Sequence, residues 1–159
     1  MATTLTGTLL GNDVAYWVQV GGSRIYVLSD RQLTQLIQDQ NLSQFLFDQG
    51  EITAERARKH PGRHHLYQCV GCGSCKPDTV KMRLRHGDLL VQTTDGLKEE
   101  IPPKTITSIL NSSGNIESKV KLPAPRGEAS RKGRYLFQIA SLSPALKGGA
   151  CREASRSKR

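Results

Sequence analysis

The chain has 159 residues, 36% hydrophobic and 23% charged, which suits one domain with a modest core. No run approaches the roughly 18 apolar residues of a membrane helix, and Met1-Ala2-Thr3-Thr4-Leu5 has no basic residue ahead of an apolar stretch; the expectation is a cytoplasmic protein without a signal peptide. The formal net charge of +9 is uneven: residues 1–112 hold 12 Lys and Arg against 11 Asp and Glu, while residues 113–159 hold 11 against 3, so a near-neutral body precedes a basic, low-complexity tail that reads as solvated and disordered.

Thr3–Leu10 is rich in Thr and Leu and ends at Gly11-Asn12-Asp13, the signature of a strand running into a hairpin turn. Val14–Val20 and Arg24–Ser29 follow, joined by Gly21-Gly22-Ser23, and each is largely apolar on both faces. These three segments predict an antiparallel meander buried in a sandwich, with Tyr16 and Trp17 in the core. Asn41-Leu42-Ser43 offers caps for a helix over Gln44–Gln49 that Gly50 closes. Thr53 caps a second helix, Ala54–Lys59, with Glu55 in its first turn, basic residues in its last and Pro61 as its stop. Strands are expected at His64–Val70, Val80–Leu84 and Leu89–Thr93, the last pair joined by His86-Gly87-Asp88. Pro102-Pro103 opens a helix through Leu110, and beyond it only Tyr135–Ile139 reads as a strand.

Several blocks, taken in order, carry a resemblance. They are Ala15-Tyr16-Trp17-Val18, Gly21-Gly22-Ser23-Arg24-Ile25-Tyr26, Leu33-Thr34-Gln35-Leu36 and Gly50-Glu51-Ile52-Thr53; then Glu55-Arg56-Ala57, His60-Pro61 with Arg63 and Gly71, and Pro77-Asp78; and finally Leu84, Gly87-Asp88-Leu89-Leu90 and Thr94-Asp95-Gly96-Leu97. Each block is weak alone, but their order and spacing over residues 3–110 resemble the carboxy-terminal half of bacterial metal-dependent protein phosphatases of the 2C (PPM) type. The resemblance implies an α+β fold, two packed antiparallel sheets with helices outside. It also implies hydrolysis of phosphoserine and phosphothreonine in proteins by two Mn²⁺ or Mg²⁺ ions, with Asp95 as a metal ligand, Gly96 shaping its loop and residues 51–63 forming a flap.

Three departures qualify that expectation. The chain begins after the region that supplies the family's first aspartates, and no aspartate follows Asp95. The family's Gly-Asp-Ser-Arg turn is Gly21-Gly22-Ser23-Arg24 here, without its carboxylate. One carboxylate cannot position two hard cations, so the fragment is expected to be inactive alone and to expose strand edges and apolar faces to a partner that completes the domain. The end, rich in Arg, Ser, Pro and Gly, suggests a changed reading frame or a decayed gene end.

Two other function classes share these residues. Cys69, Cys72 and Cys75, with His64 and His65 upstream, have the ligand types of a zinc module, and the three thiols also match three-quarters of an iron–sulfur motif; the bland alternative is three incidental loop thiols. A non-catalytic fragment binding phosphoproteins or a partner is the third reading. Aromatic residues, at 5%, are too few for a nucleic-acid stacking platform. His60 and His86 read as structural.

Overall fold

A computed structural model describes residues 2–11, 13–94, 101–116 and 119, and the backbone of 136–141 and 152–155. Strands β1 (Leu5–Leu10), β2 (Val14–Val20) and β5 (Asp78–Arg83) form one antiparallel sheet in the order β1-β2-β5. The second sheet runs β4-β3-β6-β7-β8, built from β3 (Arg24–Ser29), β4 (Gln32–Gln35), β6 (Leu89–Thr93), β7 (Leu136–Ser141) and β8 (Arg152–Ser155). The two-sheet expectation holds, and the strands at 14–20, 24–29 and 89–93 fall where periodicity places them. Within the expected basic tail, β7 lies where Tyr135–Ile139 predicts a strand, and β8 is a strand that periodicity does not signal.

The meander itself is corrected. β2 pairs with β1 and β5, and β3 with β4 and β6, so Gly21-Gly22-Ser23 carries the chain from one sheet to the other. Alternation reports which faces are apolar, not which strand lies alongside. The crossover is tight. Gly21 has φ +93°, and a Cβ there would meet Thr4 Cγ2 at 2.6 Å, so only glycine fits. Beyond it, the Thr4 and Ser23 hydroxyls share a 2.8 Å hydrogen bond.

Two apolar clusters form in consequence. Between the sheets lie Ala15, Trp17, Ile25, Val27, Ile37, Leu84 and Leu90. On the outer face of the larger sheet, Tyr26, Leu28 and Val91 pack with Ile101 and with Ile106 and Leu110 of helix α3 (Pro103–Asn111). β3 is thus covered on both faces, as its sequence predicts. β2 is not: Trp17 is in the core, but Tyr16 points outward and is exposed, contrary to its expected core role. Among the described residues no helix is long and apolar enough to cross a membrane.

The helical segment sits beside the smaller sheet's end. α1 (Leu42–Asp48) starts two residues before the predicted span because Asn41 is its cap, its side chain accepting from the Gln44 N–H at 2.9 Å. α2 (Ala54–Lys59) has the expected Thr53 cap, and Pro61 opens a 3-10 turn, Pro61–His64. The strand expected at His64–Val70 does not form. The segment spends backbone groups on isolated bridges instead, Leu66 with Asn41 and Val70 with Thr3.

Candidate functional site

Chain register brings several of the resemblance-bearing blocks to one end of the sandwich. Arg24 opposes Thr93 across β3 and β6, and Gln19 opposes Asp78 across β2 and β5. The β2–β3 crossover, the start of β5 and the outgoing end of β6 therefore meet there. Gln40 ties them to the segment leading into α1. Its Oε1 accepts from the Gly21 N–H at 2.7 Å, its Nε2 donates to Asp78 Oδ2 at 2.7 Å, and its carbonyl accepts from the Tyr67 N–H at 3.1 Å.

A part-buried ion pair braces this end. Arg24 Nε and Nη2 donate to Asp39 Oδ1 and Oδ2 at 2.6 and 2.8 Å, a bidentate fork, while Nη1 reaches the Tyr26 hydroxyl at 3.3 Å. Burial alone would lower the Arg24 pKa, but the hydrogen bond and charge of Asp39 override it and hold the guanidinium above its ordinary value. Burial raises the Tyr26 phenol, and nearby Arg24 opposes that shift without cancelling it. Asp39, Gln40 and Asn41 are all buried. Of the three, the sequence marks only Asn41, as a helix cap; Asp39 and Gln40 carry no signal beyond a polar run, Gln38-Asp39-Gln40-Asn41, lacking the Gly or Pro of an ordinary turn.

His60 and His86 both sit in backbone turns. His60 caps the 3-10 turn, its Nδ1 accepting from the Gly62 N–H at 3.0 Å. His86 lies in the turn before β6, where Gly87 has φ +93° and the Asp88 carboxylate accepts from the Arg85 N–H at 2.8 Å. Burial raises the Tyr67 phenol, helped by Asp78 and Asp48.

Asp95 and Gly96 lie outside the described residues; Thr93 and Thr94 end the described part of that strand. Each of the two described carboxylates at this end has a partner, Asp39 with Arg24 and Asp78 with Gln40, and Gly22 contributes none. Among the described residues no three His, Cys, Asp or Glu side chains converge as metal ligands. The described residues thus do not fit a divalent-metal site by themselves. The zinc and iron–sulfur expectations are corrected on the same ground. Cys69 and Cys72 are joined to each other, and Cys75 is left free and exposed.

Antiparallel sheets with a few helices match the domain structures of type 2C (PPM) phosphatases, and the chain is related to the PstP, Stp and PhpP phosphatases of that class over about 75% of its length at 30–35% identity. The serine/threonine protein phosphatase PstP of Mycobacterium tuberculosis is 34% identical over 122 residues, which is 77% of this chain and 24% of PstP. The structure of the S. agalactiae serine/threonine phosphatase superposes with a TM-score of 0.72 at 28% identity, covering 75% of this chain and 50% of that one. The catalytic domain of PstP in complex with two manganese ions gives 0.62 at 32% identity, covering 71% and 46%. The chain therefore spans about half of each of these two structures and about a quarter of full-length PstP. A scan against protein-family models finds no match.

Proposed function

We propose that this chain is the carboxy-terminal half of a metal-dependent serine/threonine protein phosphatase domain, with residues 1–112 as the incomplete phosphatase unit and 113–159 as a basic extension. The carrying observation is the gathering of the Gly21–Arg24 crossover, the start of β5 and the β6 end at one end of a sandwich that superposes on half of such domains. In this reading Asp95 is a metal ligand immediately after β6, the cation is Mn²⁺ or Mg²⁺, and the substrates are phosphoserine and phosphothreonine proteins of a cytoplasmic setting.

The described residues hold too few oxygen ligands to place two cations, and the chain by itself is expected to be inactive. In this reading the remaining ligands lie outside residues 1–159, on whatever segment or partner completes the domain. The open apolar face of β1 and β2, where Leu5, Leu9 and Tyr16 are exposed, supports this dependence. The test is hydrolysis of an aryl phosphate in Mn²⁺ by the full chain, with and without a separately expressed amino-terminal half of a related phosphatase. We expect no turnover by the chain alone, and Mn²⁺-dependent turnover on mixing that Asp95→Asn abolishes. Turnover on mixing that survives Asp95→Asn would remove Asp95 from the site, and no turnover on mixing would reject the half-domain reading.

A further inference from the structure

The loop between the 3-10 turn and β5 holds three cysteines that the phosphatase reading does not use. Cys69 and Cys72 are paired with their Cα atoms 5.4 Å apart, inside the roughly 4.4–6.8 Å range of disulfides. The turn that brings them together relies on Gly71 at φ +94°, and Gly73 at φ +87° bends the chain again before Cys75. The two thiols differ in access. Cys69 is buried at 7% exposure and lines a cavity of about 360 Å³ with Thr3, Thr4, His64 and Leu66, whereas Cys72 and Cys75 are exposed.

We infer that Cys69 and Cys72 form a thiol–disulfide exchange site, with Cys72 as the entry thiol, Cys69 as the resolving thiol, and a low-molecular-weight disulfide as the oxidant. The Cys72 thiolate attacks one sulfur of R–S–S–R, forming a Cys72–S–S–R bond and expelling R–S⁻. The Cys69 thiolate then attacks the Cys72 sulfur, forming the Cys69–Cys72 bond and expelling the second R–S⁻. The two cysteine protons end on the two R–SH products; the protein loses two electrons and the small disulfide gains them. Exposure sets the order, since only Cys72 of the pair is open to the oxidant. In a reducing compartment such a pair rests as the dithiol, and its disulfide is a transient, signalling state.

The site has a lever on the fold. Val70 lies between the two thiols and exchanges both backbone hydrogen bonds with Thr3, at 2.9 and 3.0 Å. Thr3 directly precedes Thr4, whose hydroxyl holds Ser23 of the β2–β3 crossover. Closing the Cys69–Cys72 ring fixes Val70 against Thr3, and opening it loosens that bridge. This inference does not depend on the phosphatase reading.

The test treats the reduced full chain with excess oxidised glutathione, quenches it in acid, and maps alkylation of each cysteine by mass spectrometry. The expected result is joint loss of Cys69 and Cys72 alkylation, reversed by reduced glutathione and retained in Cys75→Ser. In Cys69→Ser, Cys72 should be trapped as its mixed disulfide with glutathione. Amide exchange over residues 68–76 should be slower in the oxidised chain. Full alkylation of both thiols, a Cys72–Cys75 pair, loss of pairing in Cys75→Ser, or protection only by bound zinc would overturn the assignment. Equal amide exchange in the two states would overturn the link to Thr3.

Discussion

The two outer faces of the sandwich present opposite solutions to the same problem. On the larger sheet, Tyr26, Leu28 and Val91 are sealed beneath Ile106 and Leu110 of α3. On the smaller sheet, Leu5, Leu9 and Tyr16 retain 47, 69 and 45% of their accessible surface. Both sheets carry strands with apolar residues on two faces, so strand sequence alone does not separate them. What separates them is supply. α3 follows β6 closely in the chain and brings an apolar stripe at helical spacing, while the helices preceding β5 are short and pack mainly on each other and on the 3-10 turn. An apolar face left open marks the side where a covering element from elsewhere belongs.

The sharpest break of this contrast is Ile106→Ala. The residue is 1% exposed in the seal, and we expect a loss of about 2–5 kcal/mol in urea or thermal unfolding. A loss below about 0.5 kcal/mol would mean that α3 does not close that face. Next comes alkaline pH. The Tyr26 phenol, under α3, is held above its ordinary 10.0, so above about pH 10 the unfolded chain ionises there while the folded chain keeps its proton. Stability then falls as pH rises through that window, and Tyr26→Phe should flatten the fall. An unchanged slope would show that this face is wetter than its burial indicates. Tyr67→Phe should flatten the slope less, because Tyr67 is 51% exposed and solvent screens its shift. The smallest effect is Leu9→Lys on the open face, within about 0.5 kcal/mol for the isolated chain. The same substitution should block restoration of activity by an added amino-terminal half. A large loss of stability in the isolated chain would show that Leu9 is already covered.

The elements legible in the sequence were those whose cause is local. β2, β3 and β6 follow from apolar runs bounded by Gly or Asp turns, and α2 from the Thr53 cap, the Glu55 first turn and the Pro61 stop. The half-domain resemblance was legible too, since it rests on block order. The candidate site was legible only in part. The crossover, flap and β6 end were marked by their residues, but the Asp39, Gln40 and Asn41 layer that joins them carries no periodic signal. His64–Val70 misled because its apolar residues read as a strand, yet Leu66 and Val70 bridge to different parts of the chain.

By itself the sequence determined turns, caps and strand limits, because each depends on backbone conformations and contacts within a few residues. Tertiary structure decided the division of β2 and β3 between two sheets, the outward aim of Tyr16, the pairing of Arg24 with buried Asp39 and the difference in access between Cys69 and Cys72. Those outcomes depend on which distant segments compete for the same apolar area and the same unpaired backbone groups. That competition is settled only when the whole chain packs.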